Sequence, residues 1–205
     1  MIWDIVSPLY DDAEMLINRK VYIGTGEIVA AEIEPDDVVL ECACGTGAIS
    51  RHIAPVCREL IATDMSDGMM RQAYMKCRKF GNVRFGFADI MHLRFRNDRF
   101  DKVVAGNVIH LLDDPEGALR ELLRVCKPGG KVMIPTYING DDNSLRAATV
   151  LLEKLGIEFK REYNRDSYME FFRNAGFPDA EYRIAEGNMP CMTAIITKPE
   201  YNNKK

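Results

Sequence analysis

The 205-residue sequence has no long apolar run, no basic leader and no excess of positive charge, and each absence removes a class of protein. No hydrophobic stretch approaches the roughly 18 residues of a membrane-crossing helix. Asp4 stands where a secretory leader would be basic, so no signal peptide is expected and the chain reads as cytoplasmic. A net charge of −4 disfavours nucleic acid as a partner, because affinity for a phosphate backbone rests on clustered Lys and Arg. The densest basic patch, His92 with Arg94, Arg96 and Arg99, is explained better by a solvated loop face than by an anionic ligand. No linker, repeat or Ser/Gly-rich stretch divides the chain. A single domain over residues 1–200 is therefore expected, followed by a short polar tail at 201–205. The six cysteines form no disulfide framework, and the one close pair, Cys42 and Cys44, lacks the second pair or adjacent His that a metal site needs.

What is present concentrates between Leu40 and Ser50, in the run LECACGTGAIS. An apolar strand ends there in a turn bracketed by Gly45 and Gly47, with helix-compatible sequence behind it. Lacking Cβ atoms, these glycines let the backbone turn tightly and approach a ligand closely. A second apolar run, Leu60 to Thr63, ends in Asp64. A carboxylate at that place accepts the ribose hydroxyls of a nucleoside cofactor, which open α/β sheets bind at the carboxyl ends of their strands. Ser50 stands where a dinucleotide-binding turn would have its last Gly or Ala, which counts against NAD(P) and an oxidoreductase.

Strand and helix patterns alternate from Val38 to Thr136, predicting a parallel sheet covered on both faces. Strands are expected at Val38–Cys42, Leu60–Thr63, Val83–Ala88, Lys102–Gly106 and Lys131–Thr136. One helix starts near Gly47 and must stop by Ala54, before Pro55. Another begins after the N-cap Ser66, placing Met69, Met70, Ala73, Cys77 and Phe80 on one face, and Asp114-Pro115 starts a third. Beyond Thr136 the pattern predicts helices at Ser144–Leu155 and Arg165–Ala175, then strands at Ala180–Glu186 and Cys191–Lys198. An apolar cluster of Trp3, Ile5, Val6, Leu9 and Tyr10 marks the segment ahead of the sheet.

Five motifs in order give the chain its resemblance. They are Val38-Val39-Leu40-Glu41-Cys42-Ala43-Cys44-Gly45-Thr46-Gly47; Ala62-Thr63-Asp64-Met65-Ser66; Ala88-Asp89-Ile90; Phe100 to His110; and Leu123 to Lys131, which contains the turn Lys127-Pro128-Gly129-Gly130. From about Trp3 to Lys198 the sequence resembles the class I, Rossmann-like S-adenosylmethionine-dependent methyltransferases, nearest to the small ubiquinone/menaquinone-type (methyltransferase type 11) branch. It departs from the usual pattern at Glu41, where the family mostly has Asp, and at Ala43, where Gly is commoner.

The resemblance implies a doubly wound α/β fold: a seven-stranded, mostly parallel sheet of order 3-2-1-4-5-7-6 with helices on both faces and an N-terminal helical lid. Residues 1–33 would form the lid, 36–136 the cofactor-binding half, and 137–200 the substrate-side half with its C-terminal hairpin. The implied cofactor is S-adenosyl-L-methionine, with contacts from Tyr10, Glu41, Ala43, Cys44, Gly45, Thr46, Gly47, Asp64, Met65, Met69, Asp89, Ile90, Asn107 and Val108. In that set Asp64 takes the ribose hydroxyls, Met65 and Ile90 sandwich the adenine, and Asp89 accepts its exocyclic amine. Strand-end turn roles compete for both aspartates.

Asn107-Val108-Ile109-His110 lacks the [DN]PP[FYW] of amino-group nucleic-acid methyltransferases, the Asp constellation of metal-dependent catechol-type enzymes and the Pro-Cys of cytosine C5 enzymes. A small-molecule acceptor, methylated without metal, is the expectation that remains, with a non-catalytic cofactor-binding module as its alternative. His110 is the candidate catalytic base, against a packed histidine bonded to backbone. Tyr10, Tyr137 and Tyr163 are candidate walls of the acceptor pocket, against core positions with satisfied hydroxyls. A monomer or a homodimer is compatible with the sequence, and no feature of it supports the homodimer.

Overall fold

The computed structural model describes residues 2–139 and 160–200. Seven strands, β1 (Val38–Cys42), β2 (Glu59–Asp64), β3 (Val83–Phe87), β4 (Phe100–Ala105), β5 (Cys126–Tyr137), β6 (Glu181–Ala185) and β7 (Cys191–Thr197), form one sheet of order 3-2-1-4-5-7-6. The first five pair in parallel, whereas β7 runs antiparallel to both β5 and β6, as expected. Period-two alternation sends the two sides of each strand into separate cores. Leu40, Cys42, Val103 and Ala105 face one cluster with Leu119, Leu122 and Phe172; Val39, Leu60, Ala62 and Val104 face the other with Val29, Ile53 and Ala73. Burial on both faces is why β1, β2 and β4 read as continuous apolar runs.

The connecting helices sit near their sequence signals. Helix α2 is one turn, Ser50–Ile53, and ends before Pro55 as expected; the residues from Gly45 to Ile49 form turns instead. Helix α3 (Asp67–Cys77) is capped by the Ser66 hydroxyl, which accepts from Met69 N, and buries Met69, Ala73 and Cys77. It ends at Cys77, so Phe80 packs against the core from the following turn. Helix α4 (Pro115–Val125) has Asp114 as N-cap and Pro115 in its first turn, and α5 (Arg165–Asn174) begins with a capping box of Asn164 and Ser167. Strand β5 starts five residues earlier than the sequence suggests. Cys126 already pairs with Phe100, and Lys127 to Gly130 bulge out before pairing resumes at Lys131 opposite Lys102. The expected helix at Ser144–Leu155 and the tail at 201–205 lie outside the described residues.

The N-terminal segment is a helix, α1 (Ile2–Ala30), broken at Asn18 by non-helical angles of φ −141° and ψ 37°. Pro8 lies inside its first half and has no N–H for the Asp4 carbonyl; the Ser7 hydroxyl donates to that carbonyl at 3.2 Å instead. The break has a tertiary cause. The buried Asn18 amide donates to Met189 O at 2.8 Å, and its oxygen accepts from Met189 N at 3.3 Å, which pins the bend to the β6–β7 turn. Among the described residues no helix is long and apolar enough to cross a membrane.

Candidate active site

A cavity of about 270 Å³ opens at the carboxyl ends of β1, β2 and β4, beneath the first half of α1. This is the crevice where the strand order reverses, between β1 and β4, and where open α/β sheets bind ligands. The loop after β1 forms its floor. Ala43, Gly45 and Gly47 all have left-handed backbone, with φ of 53°, 55° and 80°. Nothing lies within 4 Å of a Cβ built on Gly45, so this glycine is required by its backbone angle. A Cβ on Gly47 would stand 3.0 Å from the Ala73 Cα, so this glycine allows α3 to pack against the loop; it does not line the cavity.

Two carboxylates face the same space. Asp64, ending β2, accepts from Gly45 N at 2.8 Å through Oδ2 and from Ser66 N at 2.9 Å through Oδ1. It thus orders the glycine loop and the start of α3 while lining the cavity, so the turn role and the ligand-facing position coexist. Glu41 is 1% exposed and accepts from the Ser50 hydroxyl at 2.5 Å. Burial, reinforced by the Asp64 charge, pushes its carboxyl up to about 8.

The remaining walls come from loops that follow the other strands. Met65 and the buried Ile90 stand on the cavity, as does Asp89, whose Oδ1 accepts from Met91 N at 2.9 Å. Ala43, Cys44, Thr46, Met69 and Val108 also line it. Asn107 lies two residues beyond β4 with φ 52°, in the left-handed region that Asn tolerates, and its N–H donates to Pro135 O at 2.8 Å. Tyr10 closes the cavity from α1 together with Trp3. Thirteen of the fourteen cofactor positions expected from sequence thus line one cavity, Gly47 being the exception.

His110 lies elsewhere. It is buried in the 3₁₀ turn Ile109–Leu111, off the cavity lining, with Nδ1 3.4 Å from Thr136 Oγ1 and its carbonyl accepting from Lys160 N and Arg161 N. Burial pushes its imidazole down to about 4, leaving it neutral at neutral pH. Tyr137 and Tyr163 are also off the lining. The Tyr137 hydroxyl donates to Glu14 at 2.8 Å, and Tyr163 packs edge-on against Tyr168 and Phe171.

Sequence reasoning missed the polar side chains joining α1 to the body. Asp4 accepts from the Ser66 hydroxyl at 2.7 Å and from Gly68 N at 2.9 Å. Asp11 accepts from the Thr46 hydroxyl at 2.5 Å, the Tyr22 hydroxyl at 2.8 Å and Lys76 Nζ at 2.6 Å. No local pattern marks these residues, because each partner lies at least eleven positions away in sequence.

The sheet order, the glycine loop and the paired carboxylates define an α/β protein built to hold a nucleoside cofactor. Residues 40–134 match the family described as a methyltransferase domain. Over that span the chain carries the domain of the class I S-adenosylmethionine-dependent methyltransferases. It is 29% identical to a demethylmenaquinone methyltransferase of Clavibacter sepedonicus, over 89% of this chain and 83% of that one. A protein of the same name from Staphylococcus carnosus is 27% identical, over 78% and 76% of the two chains. Among solved structures, an S-adenosylmethionine-dependent methyltransferase from Thermotoga maritima superposes with a TM-score of 0.73 at 20% identity, covering 97% of this chain and all of that one, a likeness of fold.

The cavity residues fit S-adenosylmethionine. The positive charge of the cofactor suits a cavity lined by the Asp64 and Asp89 carboxylates, with the buried Glu41 carboxyl beside them.

Proposed function

We propose that the chain transfers a methyl group from S-adenosylmethionine to a small-molecule acceptor by direct in-line displacement, without metal. The observation that carries this reading is the convergence of Asp64, Glu41, Asp89 and the glycine loop on one cavity at the ends of β1 and β2. Asp64 would take the ribose hydroxyls, Asp89 the adenine amine, Met65 and Ile90 the ring faces, and the N–H groups at the start of the helix after the glycine loop the methionine carboxylate. Bound there, the cofactor supplies a methyl group already activated by its sulfonium.

The protein's part is then orientation and exclusion of water, which contribute about 7–11 kcal/mol in the best cases. Trp3, Tyr10, Leu111 and Leu112 provide an apolar cover over the cavity. His110 keeps the β4 loop in place through its carbonyl and its Thr136 contact. Net charge of −4 supports a small molecule over nucleic acid as substrate, in a cytoplasmic monomer or homodimer.

The test is incubation of the purified chain with methyl-labelled S-adenosylmethionine and a small-molecule extract. A reduced demethylated naphthoquinone is the first defined acceptor to add, given the name of the two relatives. Label appearing in a small molecule supports the reading. Tight binding of S-adenosylhomocysteine with no label transferred to any acceptor would favour a non-catalytic binding module.

A further inference from the structure

Four side chains from three separate parts of the fold close a ring of hydrogen bonds beside the cavity. Lys76 Nζ, on α3, donates to Asp11 Oδ2 at 2.6 Å, to Tyr22 Oη at 3.0 Å and to Thr46 Oγ1 at 3.4 Å. The Tyr22 and Thr46 hydroxyls both donate to Asp11 Oδ1, at 2.8 and 2.5 Å. Each hydroxyl accepts from the lysine and donates to the aspartate, so every member is satisfied, and Lys76 also sits 5.7 Å from the centre of the Tyr22 ring. The ring is partly buried, with the Lys76 and Asp11 side chains 20% and 29% exposed.

Its placement gives the ring a consequence for ligand exchange. Thr46 is the residue between the two glycines of the cofactor loop and is 1% exposed. Asp11 belongs to the half of α1 before the break at Asn18, next to Tyr10 on the cavity, whereas Tyr22 belongs to the half after it. The first half therefore cannot swing away about Asn18 without pulling Asp11 from the loop, from Tyr22 and from Lys76.

We propose that Asp11 and Lys76 are positioning residues for the cofactor, tying the lid half of α1 to Thr46 so that cofactor release must first break this ring. The proposal rests on the cofactor assignment above. Neither residue lines the cavity; both act through Thr46 and Tyr10.

The experiment measures S-adenosylhomocysteine dissociation by stopped-flow fluorescence and its affinity by calorimetry, for the unsubstituted chain and for Asp11→Asn, Lys76→Met, Lys76→Arg and Thr46→Val. Loss of a charge-assisted bond is expected to speed release about tenfold or more in Asp11→Asn and Lys76→Met. The Asp11→Asn/Lys76→Met double variant should release little faster than the worse single one, because both remove the same ring. Lys76→Arg should restore slow release, which a change in overall stability alone would not explain. Thr46→Val removes one hydroxyl and keeps the test open if an Asp11 variant fails to fold. Release at the unsubstituted rate in Lys76→Met and Thr46→Val overturns the proposal. Failure of the unsubstituted chain to bind S-adenosylhomocysteine overturns the cofactor assignment itself, a distinct result.

Discussion

Three residues at the cavity hold states that cost the folded protein something. Ala43 has φ 53°, where its Cβ crowds the backbone and glycine would not. Ala43→Gly should therefore stabilise the chain by about 0.5–1 kcal/mol, the relief of strain being offset in part by unfolded-state entropy; thermal unfolding checks this, with a raised midpoint expected. Asn107 shares the conformation at less cost, because Asn enters it more readily. Glu41 is the third. Its carboxyl rises from 4.5 to about 8 on folding, so the native state holds a proton that the unfolded chain has lost between those values. This contribution is complete at low pH and disappears as pH rises from about 5 to 8. Glu41→Gln should flatten stability over that interval and weaken S-adenosylmethionine binding, as seen by thermal unfolding across pH and by calorimetry. The identities of Glu41 and Asp64 were legible in the sequence because strand ends and glycine turns are local patterns. The ionisation of Glu41 was not, since it depends on the burial that the sheet and α2 impose.

Most elements followed from short-range signals: Ser66, Asp114-Pro115 and Pro55 bound their helices at or beside the expected places. The exceptions have long-range causes. Strand β5 extends back to Cys126 because Phe100 pairs with it across the sheet, and α1 breaks at Asn18 because Met189 supplies both partners of its side chain. Asn18→Ala leaves those two backbone groups to find new partners in a buried place, at a cost of about 1–3 kcal/mol. Urea unfolding should show a lower midpoint with an unchanged slope. Hydrogen exchange in Ile2–Ile17 should quicken more than exchange in the strands, because the bend is the point from which the first half of α1 departs. The exposed faces of Ile5, Leu9 and Leu16 on this half show that it is held by its polar inner side, through Asp4, Asp11 and Glu14, more than by apolar burial.

At the scale of the whole molecule, the sheet order came from resemblance, since spacing alone does not distinguish 3-2-1-4-5-7-6 from other parallel arrangements. That order places the ends of β1, β2 and β4 side by side and so gathers residues from Tyr10 to Asn107 around one cavity. The contacts of α1 and the place of His110 off the cavity were beyond the sequence, because both depend on how α1 and the β4 loop pack in three dimensions. The central claim is that this cavity holds S-adenosylmethionine through the carboxylate ending β2. Calorimetric titration of S-adenosylhomocysteine into the unsubstituted chain and into Asp64→Ala tests it most directly. Binding to the first and at least about tenfold weaker binding to the second are expected, as loss of charge-assisted hydrogen bonds requires; equal affinities would contradict the account.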